Sequence, residues 1–548
     1  MTEPLTQPAL KKSFCRSAHL DRADERAASG ELWDLIIIGG GATGVGMAVD
    51  AASRGYTVLL LEQSDFGKGT SSRSTKLVHG GVRYLKQGNV ALVRDALHER
   101  SILLKNAPHV VRDLPFIIPC PNQWQAFFYG SGLKLYDMLA GRDNLSGSHR
   151  LGRTEVLARI ATLRDQQCAA GILYHDGQFD DARLLINLAQ TASVHGACML
   201  NYARVTDLVK TASGQVSGVR WSDGESGREW VSQARIVINA TGPFCDAVRR
   251  MDDPSTTPMV AASQGIHLVL PKRFLPGATA MMVPKTSDGR VVFLIPWHDR
   301  VVLGTTDTEI KSFPLEPSAQ PEEIEFLLST AGQYLTEAPR REDILSIFTG
   351  IRPLVVAQPG VRTAKLSRDH TISLSPQGLL TITGGKWTTY RKMAEDCINR
   401  AAQIAGLPHR QCRTSSLRIS GAPLPRSVIV AGGANTLASQ SSTEFDVYGS
   451  DQTDLDALNA LDPCNGEPLD LRLSVTAGQV IWGVRAEMAR TVEDTLARRT
   501  RALFLDARAA VAVAPRVARI MAAQLQRDEQ WQSQQIASFA QTAQHFLP

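Results

Sequence analysis

Glycines 39, 41 and 44 follow directly on the apolar run Leu35-Ile36-Ile37-Ile38, and an acid, Glu62, ends a second apolar run shortly afterwards. The spacing is G-x-G-x-x-G, which suits the pyrophosphate of a dinucleotide. Gly39 permits a tight turn, Gly41 lets backbone approach the phosphates, and Gly44 lets a helix pack closely on the strand. The N–H groups left unpaired at that helix start then face the anion. The Glu62 carboxylate can accept hydrogen bonds from an adenosine ribose. This fingerprint alone does not separate a flavin from a nicotinamide dinucleotide. Two imidazoles have surroundings suited to proton transfer near neutral pH: His79, in a Gly-Gly turn, and His267, within Gly265-Ile266-His267-Leu268. Each has an alternative reading, His267 as a hydrogen-bonded sheet residue and His79 as an orienting group.

Positioning these residues requires a strand, glycine turn, helix, strand unit over residues 34–62. The helix runs through Met47, Ala48, Ala51 and Ala52 to Arg54, with Gly55 as its C-cap, and residues 57–61 form the second strand. Residues 264–270, 291–296 and 301–305 are short β-rich runs, the last two joined by Trp297-His298-Asp299-Arg300 as a hairpin. They predict an antiparallel substrate-side sheet. Pro408, Gly421, Pro423 and Pro425 mark a loop-like boundary over residues 407–427. No lysine follows Lys392, and residues 475–505 and 510–525 carry apolar residues at helical spacing. The expected division is therefore a flexible tail over 1–33, an α/β nucleotide domain with an interleaved substrate domain over 34–406, and a helical domain over 427–548.

Bulk properties narrow the class. Of 548 residues, 43% are hydrophobic and 21% charged, which suits a globular chain of more than one packed unit. The formal charge of +5, from 59 basic and 54 acidic residues, supplies no basic field for nucleic acid. The eight cysteines are scattered without a C-x-x-C pair, which points to a reducing compartment and no metal site. The first residues carry both charge signs and no apolar core of a signal peptide. The longest mostly apolar stretch, residues 35–49, is glycine-rich and falls short of the ~20 residues a spanning helix needs. Any membrane attachment is expected to be peripheral.

Beyond the fingerprint comes Thr70-Ser71-Ser72-Arg73-Ser74-Thr75-Lys76-Leu77-Val78-His79-Gly80-Gly81-Val82-Arg83-Tyr84-Leu85. Here the chain resembles the FAD-dependent glycerol-3-phosphate dehydrogenases, with a T-S-S run, a K-L-x-H-G-G turn and an R-Y-L ending. It departs by Thr75, where a second serine is usual. The resemblance continues through Asp180-Asp181-Ala182-Arg183-Leu184, Asn239-Ala240-Thr241-Gly242-Pro243, Gly304-Thr305-Thr306-Asp307, Gly350-Ile351-Arg352-Pro353-Leu354, Ser367-Arg368-Asp369-His370 and Gly384-Gly385-Lys386-Trp387-Thr388-Thr389-Tyr390. It reaches Glu487-Met488-Ala489-Arg490 and Arg498-Arg499-Thr500-Arg501 near the C-terminus.

The resemblance implies a Rossmann-like FAD-binding domain, an interleaved antiparallel substrate domain and a C-terminal helical domain. It also implies FAD held by Gly39, Gly41, Gly44, Glu62, Thr70, Ser71, Lys76, Leu77, Ala240, Thr241, Gly242, Gly384 and Gly385. Arg83, Tyr84, Arg352 and Lys386 would bind substrate, and His79, His267 and Lys386 would serve catalysis. The implied reaction oxidises glycerol 3-phosphate to dihydroxyacetone phosphate and passes electrons to a membrane quinone, on the inner face of the cytoplasmic membrane. Related oxidases that form hydrogen peroxide carry a long insertion between their R-P-L and R-D segments. Only residues 355–366 stand there in this chain, which favours a dehydrogenase. A carboxylate-binding amino-acid oxidase and a catalytically silent flavin-binding protein are the other readings. The aromatic cluster Trp124, Phe127, Phe128 and Tyr129 is expected to be packing.

Overall fold

The run Leu35-Ile36-Ile37-Ile38 is unbroken by polar residues because it lies in the middle of a sheet buried on both faces. In the computed structural model, which describes residues 14–81, 89–284, 286, 289–355, 370–423 and 446–548, this run forms the strand Trp33–Ile38. Val58–Leu61 pairs parallel on one side and Glu229–Asn239 on the other. Cys198–Leu200 and Leu379–Gly384 extend the parallel set, and His370–Leu374 adds an antiparallel edge. Register decides what the sheet can do. Ile38 stands beside both Leu61 and Asn239, so Gly39, Glu62 and Ala240 leave the sheet at the same carboxyl edge. Asn239 in turn stands beside Thr381, which brings Gly384 to that edge as well.

At the first turn Gly39 adopts φ +110, and a Cβ on Gly44 would lie 1.9 Å from the Gly39 carbonyl oxygen. No residue with a side chain fits Gly44, so the helix Ala42–Ser53 sits tight against the strand it follows.

Among the described residues a second sheet of ten strands holds the runs expected to form the substrate side. One of its two longest pairings joins Val260–Pro271 antiparallel to Ser346–Val355. Val292–Trp297 and Arg300–Gly304 form the expected hairpin, with His298 and Asp299 at φ 43 and 57 in a two-residue turn.

Two expectations are corrected. Residues 14–33 are not a flexible tail: Arg16–Ser29 is a helix against Cys198–Leu200 and Glu229–Asn239, with His19 and Ala23 buried. Arg16 donates to the Asn201 carbonyl and to Asp223. The helix's outward charges hid its short apolar stripe. The second correction concerns residues 475–505, which are not one helical run. The helix Ala477–Ala486 stops, Asp494–Arg499 is a wide helical turn, and Ala502–Leu505 is a single turn before Ala507–Leu525.

The interruption has an electrostatic reason. Arg498, Arg499 and Arg501 are almost completely buried and each reaches at least one carboxylate outside its own helix. Arg498 and Arg499 both bond Asp65, and Arg501 donates to Asp181 at 3.0 Å. Arg183 holds Glu487 through two bonds of 2.7 and 2.8 Å.

Candidate active site

Along the carboxyl edge of the parallel sheet runs a cleft lined by Gly39, Gly41, Thr43, Glu62, Thr70 and Ser71, by Ala240, Thr241 and Gly242, and by Gly384, Gly385 and Lys386. Four segments far apart in sequence meet there because their strands share one register. Gly41 is the extended N-cap of the helix, and the Ala42 N–H donates to Ser71 Oγ at 2.9 Å. The Ser71 carbonyl accepts from Trp387 Nε1 at 2.8 Å, which ties the Thr70-Ser71 turn to the Gly384-Gly385-Lys386-Trp387 turn. Glu62 accepts from the Gly40 and Ser64 N–H groups at 2.7 and 2.8 Å. Burial pushes its pKa up and those two bonds oppose the shift. A carboxylate has further lone pairs to offer a ribose.

The cleft fits a flavin dinucleotide. Gly384 and Gly385 adopt φ 81 and 79, and a Cβ on Gly385 would lie 2.4 Å from Met393 Sδ. Two successive left-handed glycines turn backbone N–H groups outward in a way that suits an electron-rich ring.

The substrate side lies across the paired strands. Arg352 stands opposite Ser263, and its guanidinium reaches Gln264 O at 3.3 Å, Asp307 Oδ1 at 3.4 Å, Thr305 Oγ1 at 3.2 Å and Thr306 O at 3.0 Å. It lies over Gly265, where a Cβ would sit 2.3 Å from Nη2. Pro353 lines the cleft and Thr70 Oγ1 donates to the Ile351 carbonyl at 2.6 Å, so Arg352 is flanked by cleft-forming groups.

His267 is 2% exposed, between the Phe348 ring stacked at 4.7 Å and the backbone of Gly304. Its Nε2 is 2.9 Å from Thr75 Oγ1, while Nδ1 has no hydrogen-bond partner among the described residues. Burial first, then the charges of Lys76 and Arg352, hold its pKa well below the usual value, so the ring is neutral. His79 is half-buried on the turn after Leu77–Val78, and its N–H donates to Thr388 Oγ1 at 3.2 Å beside Lys386.

Several expected residues stand elsewhere. Among the described residues Lys76, Leu77, His79, His267 and Arg352 do not line the cleft; Lys76 is wholly buried, its Nζ held by Asp181 and the Ser72 carbonyl. Gly44 acts through helix packing rather than on the cleft wall. Arg83, Tyr84 and Ser367-Arg368-Asp369 lie outside the described residues. Of the aromatic cluster only Tyr129 packs on the core; Trp124, Phe127 and Phe128 are 73%, 66% and 51% exposed, because the helix Gln123–Ala140 turns them away from its sheet. Trp387 and Lys68, both on the cleft wall, were missed. The signal for Trp387 was its place one residue beyond the Gly384-Gly385 pair.

Comparison with known proteins agrees with this geometry. Residues 34–391 match the family described as FAD dependent oxidoreductase, and residues 412–532 match the C-terminal domain of alpha-glycerophosphate oxidase. The mitochondrial glycerol-3-phosphate dehydrogenase of Arabidopsis thaliana is 39% identical over 95% of this chain and 87% of its own length. The human mitochondrial glycerol-3-phosphate dehydrogenase is 38% identical over 94% of this chain and 73% of its own. A structure of the glycerol-3-phosphate dehydrogenase from Bacillus halodurans complexed with FAD matches with TM-score 0.77 and 28% identity, over 98% of this chain and 99% of that one. The glycerophosphate oxidase of Mycoplasma pneumoniae shares the fold at TM-score 0.55 and 15% identity, over 71% of this chain and 98% of that one. With this fold, this cleft and these relatives, the chain belongs to the FAD-dependent glycerol-3-phosphate dehydrogenases.

Proposed function

We propose that the enzyme oxidises sn-glycerol 3-phosphate to dihydroxyacetone phosphate and delivers the electrons to a membrane quinone. The carrying observation is that Arg352 and a buried imidazole, His267, stand on paired antiparallel strands, with Pro353 of the same strand as Arg352 on the cleft wall. Bound FAD supplies the acceptor for the hydride that leaves C2 of the substrate. Arg352 binds the phosphate, its plane fixed by Gln264, Thr305, Thr306 and Asp307. Lys386, on the cleft wall, adds positive charge near the same site. His267 takes the C2 hydroxyl proton at Nδ1, which an already protonated ring could not do. His79 orients the Lys386-Trp387-Thr388 turn through its backbone bond to Thr388. Glu62, Ser71, Thr241 and the glycine turns hold the cofactor.

A quinone acceptor implies contact with a bilayer, and among the described residues no helix is long and apolar enough to cross one. Peripheral contact is supported by the helix Gln123–Ala140. Trp124, Phe128, Leu135 and Met138 recur at helical spacing on one exposed face, with Phe127 beside them and Lys134 nearby.

The test is anaerobic mixing of the yellow holoenzyme with glycerol 3-phosphate while flavin absorbance is followed. Rapid bleaching by this substrate, none by amino acids, and reoxidation faster by a quinone analogue than by oxygen are expected. Bleaching by an amino acid alone, or peroxide formed faster than quinone is reduced, overturns the reading.

A further inference from the structure

Lys76 has no exposed surface, yet it is a lysine. Burying an ammonium is costly unless it is held, and Lys76 is held on every side the structure describes. Its Nζ donates to Asp181 Oδ2 at 2.7 Å and to the Ser72 carbonyl at 2.8 Å. It also lies 4.8 Å from the Phe348 ring centroid and 5.2 Å from those of Trp297 and Phe504. Its backbone is unusual too, with φ 63, a left-handed conformation that a residue with a long side chain adopts only when surroundings impose it.

The turn so imposed has a definite product. Asp181 Oδ2 also accepts from the Ser74 N–H and hydroxyl, so residues 74 and 76 are pinned to one carboxylate oxygen. Thr75 between them is left facing the other way, with Oγ1 2.9 Å from His267 Nε2. The Phe348 ring that stacks on His267 is the same ring the Lys76 ammonium approaches.

We propose that Thr75 and Lys76 are positioning residues for His267: the Lys76–Asp181 pair shapes the turn that sets Thr75 Oγ1 on Nε2, so that Nδ1 is left as the atom that receives the substrate proton. The proposal rests on the reading of His267 as proton acceptor. The Thr75 hydroxyl can accept from Nε2–H or donate to Nε2; in the proposed tautomer it accepts, which places the lone pair on Nδ1. This chain has threonine where serine is usual in the family, and either hydroxyl can serve.

The charges around the ring come from several elements. Arg352 faces it from Ser346–Val355 and Lys76 from the turn, and both disfavour imidazolium. Asp180, Asp181 and Arg501 surround Lys76, while Asp307 pairs with Arg352. Burial pushes Lys76 down to about 7, so its ammonium persists through the acid range in which His267 would gain a proton. Removing that cation raises the pKa of His267, and the acid limb of the rate profile moves to higher pH.

The experiment measures kcat/KM against pH for FAD-loaded K76M, T75V and T75S, with the titration of the 13C-histidine resonance that disappears in H267Q as a readout free of turnover. K76M is expected to move the acid limb and the resonance titration upward together by about one pH unit or more. T75V is expected to lose roughly tenfold or more in kcat with little change in KM, and T75S to recover most of the loss. Should K76M fail to fold, the near-isosteric T75V and T75S pair still decides. Normal kcat in T75V, or an unmoved limb and resonance in folded K76M, overturns the proposal. Wild-type turnover in H267Q overturns instead the reading of His267 on which it rests.

Discussion

Replacing Arg352 by alanine should lower kcat/KM for glycerol 3-phosphate by about two orders of magnitude. Contacts of 3.0 to 3.4 Å with Gln264, Asp307, Thr305 and Thr306 fix the plane of the guanidinium. Two charge-assisted bonds to a phosphate would contribute about 3–6 kcal/mol together. Part of that is lost because the side chain is already 23% exposed and shares its charge with Asp307. A net loss of about 3 kcal/mol corresponds to roughly a hundredfold. Lysine should restore only part of it, since it keeps the charge and loses the fork. The assay is steady-state kinetics on preparations of equal flavin content, with glycerol as a substrate that has no phosphate. Equal slowing of glycerol and glycerol 3-phosphate would refute the assignment, because a residue that holds phosphate cannot matter to a substrate without one.

Gly41→Val should give a folded apoprotein, because at that position a Cβ meets only Ser71 Oγ at 3.1 Å while the added bulk faces the cleft; normal flavin content would defeat the assignment. Asp65→Asn removes the carboxylate shared by Arg498 and Arg499 and should cost about 3–5 kcal/mol, read as a lower apparent Tm by flavin release; an unchanged Tm refutes it. Burial holds His109 down to about 4 against an ordinary 6.5. An unfolded histidine binds its proton below about 6.5 and the native one does not. The contribution is therefore complete above that pH and falls away from about 6.5 to 4, by up to roughly 3 kcal/mol. His109→Gln should flatten the acid loss in that window, and identical profiles would count against it. Phe127→Ser with Phe128→Ser should weaken binding to lipid vesicles by roughly tenfold or more while turnover with a soluble quinone analogue is kept; unchanged vesicle binding would remove this helix from the membrane face.

The cofactor cleft was legible in the sequence for a physical reason. Parallel strands put successive carboxyl ends at one edge, so Gly39, Glu62, Ala240-Thr241-Gly242 and Gly384-Gly385, each following an apolar run, had to converge. The hairpin at Trp297-His298-Asp299-Arg300 was legible through its spacing. Side-chain direction was less so. Lys76 sits among residues that resemble a cofactor motif, yet its left-handed backbone turns it toward Asp181, and no sequence pattern announces that. Phe127 and Phe128 were read as packing because an aromatic pair is apolar whichever face it lies on; only the placement of Gln123–Ala140 shows that they meet solvent. The helix Arg16–Ser29 is not legible in the sequence because its contacts, Asn201 and Asp223, are 185 and 207 residues away.

The absence of lysine after Lys392 follows from what the C-terminal arginines do. Arg498 bonds Asp65, Glu493 and Asp494, each through a different nitrogen, and Arg499 grips Asp65 with two while also reaching the Glu487 carbonyl. A lysine could bring the charge to these buried places but could not satisfy several acceptors held in fixed directions. Asp65 belongs to the segment whose Gln63, Gly67, Lys68, Thr70 and Ser71 form one wall of the cofactor cleft, and Lys68 is itself bonded to Glu493 at 2.7 Å. Arg501 reaches Asp181, the carboxylate that also shapes the Ser74-Thr75-Lys76 turn under His267. The arginine run therefore braces the site from behind, one arm on the cofactor wall and one on the turn that bonds His267. A loosened C-terminal domain should weaken flavin retention and disturb His267 together, whereas a domain that merely covered the sheet would do neither.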